Sequence, residues 1–406
     1  MESTDIVVIG GGVLGGAVAF YMAKQDAGRV ILLERHSIAH GNSSLAAGLL
    51  TRGRFKSHLI PLVIETYRAI EAIEEICGES LGMRQTGCLY IAVSPENQRE
   101  IRTLVSTSSQ TGLRVEWFDR TDTDHLIPWL RLPRDTLAVF MPEDGYIDGY
   151  ALATGYVKSA RMLGVEVREQ TRVLSIERVG DRVTGVKTEA GGLSASLVID
   201  AAGIWAGMLA SEIGIRLPMA PVRSHYWITA GHPSFSPEQP FVILPDARAY
   251  ARPESNRLLF GFREKQSVGL DPRYLPERMN GYIFNQDPNG WESLLEGMPD
   301  FGKFLPMIEE IEIVNYIKGL SNYTPDGNFV LGGIPAVSGF LAATGCAGAG
   351  IAMSGGIGRM ITELANGHTT FAEAAHHRID RFGEVDPLDP NFIRRCSDAR
   401  SGKITG

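Results

Sequence analysis

Asp5-Ile-Val-Val-Ile-Gly-Gly-Gly-Val-Leu-Gly-Gly16 is the stretch whose reading decides the fold. The apolar run Ile6, Val7, Val8, Ile9 reads as a buried strand, and it enters a turn with Gly10, Gly12 and Gly15 at G-x-G-x-x-G spacing. Each glycine has its own task. Gly10 allows the tight turn, Gly12 lets a pyrophosphate reach the backbone, and Gly15 lets helix and strand pack closely. A helical segment over 13–24 follows at once, and its unpaired N–H groups and positive end suit phosphate. The next apolar strand, Arg29-Val-Ile-Leu-Leu33, ends in Glu34, placed for a ribose hydroxyl pair. A glycine turn alone is a weak signal. With a strand before it, a helix after it and an acid ending the next strand, it specifies a dinucleotide site.

Length and composition bound the rest. A chain of 406 residues exceeds one ordinary core and predicts two domains, interleaved or sequential. Apolar content of 44% and charged content of 21% fit a globular protein. A net charge of −8 argues against nucleic acid and anionic membrane surfaces as partners, since both call for basic patches. Cys77, Cys88, Cys346 and Cys396 are far apart and form no C-x-x-C, so they are expected as reduced thiols in a cytoplasmic protein. Met1-Glu-Ser-Thr-Asp5 runs straight into the first strand, leading us to expect no signal peptide. No window approaches ~20 uninterrupted apolar residues, so no membrane span is expected.

Along the chain, helical apolar spacing appears over 60–77, a buried strand over 87–93 and a surface helix over 96–109. A second α/β passage opens near Tyr150, with a helix over 151–162, strands over 165–168 and 173–178, and a hairpin-type turn in Gly180-Asp-Arg-Val-Thr-Gly185. The strand Leu197-Val-Ile-Asp200 ends in small residues, which lets chain pass close beneath a ligand. From Pro221 to about Lys318, alternating aromatic and β-branched residues predict an antiparallel sheet, interrupted by helix between roughly 285 and 310. The segment Gly339 to Gly350, with a helix to Asn366, repeats the opening logic of strand, glycine turn and helix. Residues after Asp386 read as a solvated tail.

Two glycine-turn–helix units at opposite ends of the chain do not suit a simple nicotinamide dehydrogenase. The constellation resembles the D-amino-acid oxidase-like flavoprotein family, which includes glycine oxidase, sarcosine oxidase and dimethylglycine dehydrogenase. Four places carry the likeness: Gly10 to Gly15 with Glu34, the loop Gly41-Asn-Ser-Ser-Leu-Ala-Ala-Gly48, Asp200-Ala-Ala-Gly-Ile-Trp205, and Tyr323-Thr-Pro-Asp326 through Gly350. The resemblance implies an α/β fold: a Rossmann-like FAD-binding domain (1–85, 150–220, 320–385) interleaved with an α+β substrate domain built on an antiparallel sheet (86–149, 221–319), then a tail over 386–406. It further implies an extended FAD. The phosphates would lie on Gly10, Gly12, Val13, Leu14 and Gly15, with Glu34, Arg35 and Val173 towards the adenosine. Ser43, Ser44, Ala47, Gly48 and Leu49 would line the middle, with Ala202, Gly203 and Trp205 beneath. Gly348, Ala349, Gly350 and Ile351 would aim helix N–H groups at the edge of the ring where charge gathers on reduction. Where relatives attach FAD covalently through histidine or cysteine, this chain has Leu45 and Ser321, so noncovalent FAD is expected.

The resemblance implies oxidation of a C–N bond beside a carboxylate: a neutral amine, hydride transfer to flavin N5, then imine hydrolysis. A carboxylate in a dry site needs a cation, and arginine's fork suits it best. The Gly-Leu-Arg-Pro anchor of glycine oxidase-like proteins is Gly319-Leu320-Ser321-Asn322 here. The lysines of sarcosine oxidase-like proteins are replaced by Ala352 and Leu259. Arg52 is the first expectation for the carboxylate, ahead of Arg54, with Tyr250, Tyr323 and His225 as further catalytic-site candidates. His376-His377 lacks a third ligand, and no metal is expected. The leading expectation is an oxidase of sarcosine, iminodiacetate or similar N-carboxymethyl amines that releases hydrogen peroxide. A dehydrogenase passing electrons to a quinone or flavoprotein, as one subunit of a complex, and a non-catalytic FAD-binding subunit are the alternatives.

Overall fold

The computed structural model describes residues 2–403. Its first sheet has eight strands around a parallel centre. Glu166–Arg168, Val30–Leu33, Glu2–Ile9, Gly191–Asp200 and Val337–Thr344 lie side by side and run the same way. Val173–Val179, Arg182–Thr188 and Val330–Ile334 complete the sheet by antiparallel pairing. Ile6 and Val8 face helices Val13–Lys24, Ile60–Cys77, Gly149–Met162 and Gly350–Ala365, while Val7 and Ile9 face the opposite core under helix Ala206–Glu212. Burial on both faces is why this strand reads as one apolar run instead of an alternation.

Helix Val13–Lys24 is buried from Val13 to Met22, because Gly149–Met162 and Gly350–Ala365 flank it. A helix covered on all sides has no polar stripe. Its glycines set its position. Gly10 has φ +104°, open to glycine and hostile to side chains. At Gly15 a Cβ would lie 1.8 Å from the Gly10 carbonyl oxygen, so the helix sits directly on the turn.

The second sheet also has eight strands, in the order Ile313–Tyr323, Ala220–Thr229, Arg257–Phe262, Ala249–Glu254, Phe241–Leu244, Cys88–Ala92, Leu137–Met141, Glu116–Phe118. All neighbours are antiparallel except Phe241–Leu244 with Cys88–Ala92, the join between its two chain segments. The fold is therefore α/β, with a parallel-centred sheet and a mostly antiparallel one drawn from alternating stretches of chain. One expected boundary shifts. Strand Ile313–Tyr323 runs unbroken past residue 320, so Leu320–Tyr323 belongs to the second sheet by pairing and to the first unit's turn by position.

The solvated tail is a second correction. Asp389 caps a helix, Pro390–Ser401, by accepting from the Asn391 N–H at 2.9 Å. Phe392, Cys396, Ser397 and Arg400 are buried where this helix packs on strands Ala220–Thr229 and Ile313–Tyr323. The spacing 392, 396, 400 places three of them on one stripe, hidden in the sequence by the charges around them. Residues 404–406 of the expected tail lie outside the described residues. No helix among the described residues is long and apolar enough to cross a membrane.

Candidate functional site

A cavity of about 500 Å³ lies beyond the carboxyl ends of the parallel strands, where open α/β sheets hold ligands. That volume is in the roughly 300–1,000 Å³ range of ordinary cofactor and ligand sites. At one end stand Gly10, Gly12, Val13 and Leu14. Glu34 is fixed there by two backbone donors: its Oε2 accepts from the Gly11 N–H at 2.7 Å and its Oε1 from the His36 N–H at 2.8 Å. Both oxygens keep lone pairs for a ribose. The Arg35 guanidinium lies 3.7 Å over the Trp205 ring, whose indole N–H donates to the Pro276 carbonyl at 2.9 Å. These residues and Val173 form the wall of that end.

The middle is lined by Ser43, Ala47, Gly48 and Leu49, with Ala202 and Gly203 opposite. Ser43 Oγ accepts the Val13 N–H at 2.9 Å, and Asn42 Oδ1 accepts the Leu320 N–H at 2.8 Å, tying the loop to both units. Leu45 packs with Ile204 and Leu320, so its position offers no attachment chemistry. At the inner end, Gly348, Ala349, Gly350 and Ile351 open helix Gly350–Ala365 into the cavity. Ser321 Oγ accepts the Gly348 N–H at 3.0 Å and lies 3.1 Å from Cys346 Sγ, bracing this second glycine turn.

Two features test the fit to a dinucleotide. Neither helix that opens on the cavity has a capping side chain at its N-cap residue, Gly12 or Ala349, so anion-seeking N–H groups face inward at both ends. At Gly12 a Cβ would meet Ser43 Oγ, 3.2 Å away, and no other atom within 4 Å beyond its chain neighbours. The glycine is thus not required by protein packing, but by what approaches from the cavity. The residues present fit FAD.

Tyr250, Tyr323 and His225 line the inner end, with Tyr226, Phe262, Arg263, Arg400 and Lys403 beside them. Burial pushes the Tyr250 and Tyr323 hydroxyls up, and Tyr226 to about 12, so all three are neutral donors at physiological pH. His225 is committed elsewhere. Its Nδ1 lies 2.9 Å from the Tyr316 hydroxyl and its Nε2 3.1 Å from Glu264 Oε1, and burial lowers its pKa. Glu264 is the centre of a buried network. Arg223 Nη2 donates to it at 3.1 Å, and Arg400 Nη1 binds its other oxygen. Burial alone would raise this carboxyl, but Arg400, His225 and Arg223 outweigh it and hold it well below the usual range.

Three expectations are corrected. Arg52 does not line the cavity: its guanidinium lies 3.9 Å over the Tyr67 ring and 3.6 Å from Glu143, and its N–H donates to Asp144 Oδ1 at 2.7 Å. The strand Leu49–Leu50 that precedes it pairs with Gly145–Tyr146, which turns the side chain towards that acidic corner. Ser44 Oγ donates to the Gly41 carbonyl at 3.0 Å and closes its own turn, outside the lining. Gly15 lies beneath the turn, serving packing and not contact. Arg52→Ala should accordingly cost about 1 kcal/mol, the worth of a half-exposed ion pair and a ring contact, and leave KM for any carboxylate substrate within twofold. Thermal melts and steady-state kinetics measure both, and a tenfold rise in KM would return Arg52 to the site.

The sequence reading missed Arg263, Arg400 and Lys403. Arg263 follows an apolar strand end, and burial with Arg400 nearby lowers it to about 10, still cationic at neutral pH. Arg400 comes from the helix mistaken for a tail, and Lys403 lies just beyond its C-cap, Gly402. The carboxylates lining the cavity, Glu34 and Glu212, stand at the first glycine turn and at the end of helix Ala206–Glu212.

The model of the family described as FAD dependent oxidoreductase matches residues 5–364. The mitochondrial dimethylglycine dehydrogenase of Rattus norvegicus is 26% identical over 399 residues, covering 96% of this chain and 45% of that protein. The chain thus spans less than half the length of that relative. Glycine oxidase of Bacillus subtilis (strain 168) is 26% identical over 388 residues, 93% of this chain and 97% of its own. Among solved structures, L-proline dehydrogenase from P. horikoshii superposes with a TM-score of 0.82 at 22% identity, covering 95% of this chain and all of that one, a likeness of fold.

Proposed function

The chain belongs to the FAD-dependent oxidoreductase family, and on that premise we propose that it oxidises the C–N bond of a small secondary or N-substituted amino acid, with O2 as acceptor. One observation carries the reading: buried arginine in the wall at the inner end of the cavity. Arg223 and Arg400 are answered by Glu264 and Asp287. Arg263 lines the cavity beside them. A buried guanidinium at the cavity wall offers a charged fork to an anion, and a substrate carboxylate matches it.

Arg263 then holds the carboxylate, and the neutral hydroxyls of Tyr250 and Tyr323 donate to it or to the bound amine. The aromatic sheet keeps water out, which strengthens each of these interactions. FAD, held without a covalent bond at Leu45 or Ser321, supplies the two-electron acceptor chemistry when bound. The non-catalytic reading anticipated pocket aromatics with no matching cation, and Arg263 weighs against it. The reading also places the enzyme in a reducing compartment, in keeping with four cysteines that form no disulfide.

An anaerobic screen of N-alkyl glycines and primary amino acids, scored by bleaching of the flavin absorbance, tests the proposal. Secondary amino acids should bleach it. Arg263→Met should raise the Kd of a carboxylate ligand about 30-fold, in line with ~2 kcal/mol for a charged hydrogen bond. Admitting air should release peroxide; bleaching that persists in air would assign the electrons to another acceptor.

A further inference from the structure

We propose that Lys403 is the catalytic base of this site: its Nζ takes the proton from the substrate's ammonium nitrogen and leaves the neutral amine that C–N oxidation requires. The assignment rests on the amine-oxidation reading above. One proton moves and no electrons: an N–H bond of the ammonium breaks and an N–H bond forms on Nζ.

Position comes first. Lys403 lines the cavity, and its Nζ donates to the Ala347 carbonyl at 3.0 Å, in the glycine turn that opens helix Gly350–Ala365. A Cβ on Gly348 would stand 2.3 Å from the Tyr323 hydroxyl and 3.4 Å from Lys403 Nζ, so both groups converge on one patch of wall. An uncharged amine that donates one N–H to Ala347 still has a lone pair to offer.

Charge comes second. The groups that face Lys403 are Arg54 from the loop after strand Leu49–Leu50, Arg263 from just past strand Arg257–Phe262, Arg400 from the preceding helix, and Cys346 and Tyr323 from the second glycine turn and the strand before it. Burial and the Arg54, Arg263 and Arg400 guanidinium groups push the ammonium well down, against the Cys346 thiol, which pulls the other way. A lysine so placed gives up its proton more readily than a solvated one, which suits it to act as a base.

Elimination comes third. Both nitrogens of His225 face partners, and Cys346 Sγ lies against Ser321. Burial raises Tyr250 and Tyr323, which holds their protons on. Lys403 is the remaining acceptor at this end among the described residues.

The test uses the intact holoenzyme, sarcosine as reductant and methoxyacetate as an amine-free analogue. An alkylammonium titrates near pH ~10, so a site without a base must wait for the rare neutral amine. Lys403→Gln and Lys403→Arg should reduce their flavin about 1,000-fold more slowly than wild type at pH 7. Both should recover about tenfold per pH unit and approach wild type near pH 10. Both should keep their flavin and bind methoxyacetate within threefold of wild type, as read by the perturbed flavin spectrum. A variant that follows the wild-type pH profile would overturn the assignment. So would a loss that is equal at every pH and matched by lost methoxyacetate binding, the mark of a carboxylate anchor. Should no amine reduce the wild-type flavin, the amine-oxidation reading itself falls, and this base with it.

Discussion

Gly12→Val should give a folded, colourless protein. The backbone of Gly12 is extended, φ −78° and ψ −176°, a conformation any residue adopts. A Cβ there meets only Ser43 Oγ at 3.2 Å, so a shift of a few tenths of an ångström in one serine hydroxyl makes room for it. What cannot accommodate it is a phosphate seeking the N–H groups of helix Val13–Lys24. Losing two charge-assisted hydrogen bonds of ~2 kcal/mol each weakens FAD binding roughly 10³-fold. Gly15 provides the contrast, since a Cβ 1.8 Å from the Gly10 carbonyl oxygen forces helix from strand, and Gly15→Val should fail to fold. Flavin absorbance per protein and the melting temperature of the apoprotein separate the two. A yellow Gly12→Val protein of normal stability would remove the phosphates from this turn.

Glu264→Ala should destabilise the protein by about 3–5 kcal/mol, because it strands buried Arg223 and Arg400 without their shared anion. That is a large part of the ~5–15 kcal/mol by which domains exceed their unfolded state. The loss should appear in the second sheet, through His225 and Arg223 on strand Ala220–Thr229, and free the helix carrying Arg400. The pH dependence has a definite sign. A carboxyl held below its usual value near 4.5 stabilises the fold above that pH, and the contribution fades as pH falls towards the lowered value. Wild-type stability should therefore drop between about pH 4.5 and lower values, while Glu264→Gln, with nothing to protonate, should follow a flatter course. Chemical denaturation at pH 7 and pH 3.5 measures both, and parallel profiles for the two proteins would show that Glu264 carries no such charge burden.

The parallel-centred unit was the more legible of the two. Its elements announce themselves locally: helices Val13–Lys24 and Ile60–Cys77 keep the bounds their apolar spacing predicts, and the hairpin turns at Gly180-Asp181, the first two residues of the expected Gly180 to Gly185, the rest being strand. The lining around Gly12, Glu34, Ser43 and Gly348 was legible for the same reason, since each residue belongs to a short motif whose spacing has a mechanical purpose. The inner end was not. Arg52 follows a loop of the right kind, yet pairing of Leu49–Leu50 with Gly145–Tyr146 sends its side chain towards Glu143. His225 alternates correctly along its strand, and only the fold shows Glu264 and Tyr316 already holding both nitrogens.

A dinucleotide turn depends on conformations allowed to a few consecutive residues, so the order of amino acids was enough to identify it and the family that goes with it. The chemistry at the far end depends on side chains separated by more than a hundred positions. Electrostatic energy falls with distance through space and takes no account of distance along the chain. Whether a C-terminal lysine is a solvated ion or a buried base is decided by Arg54, Arg263 and Arg400, and only folding brings them to it.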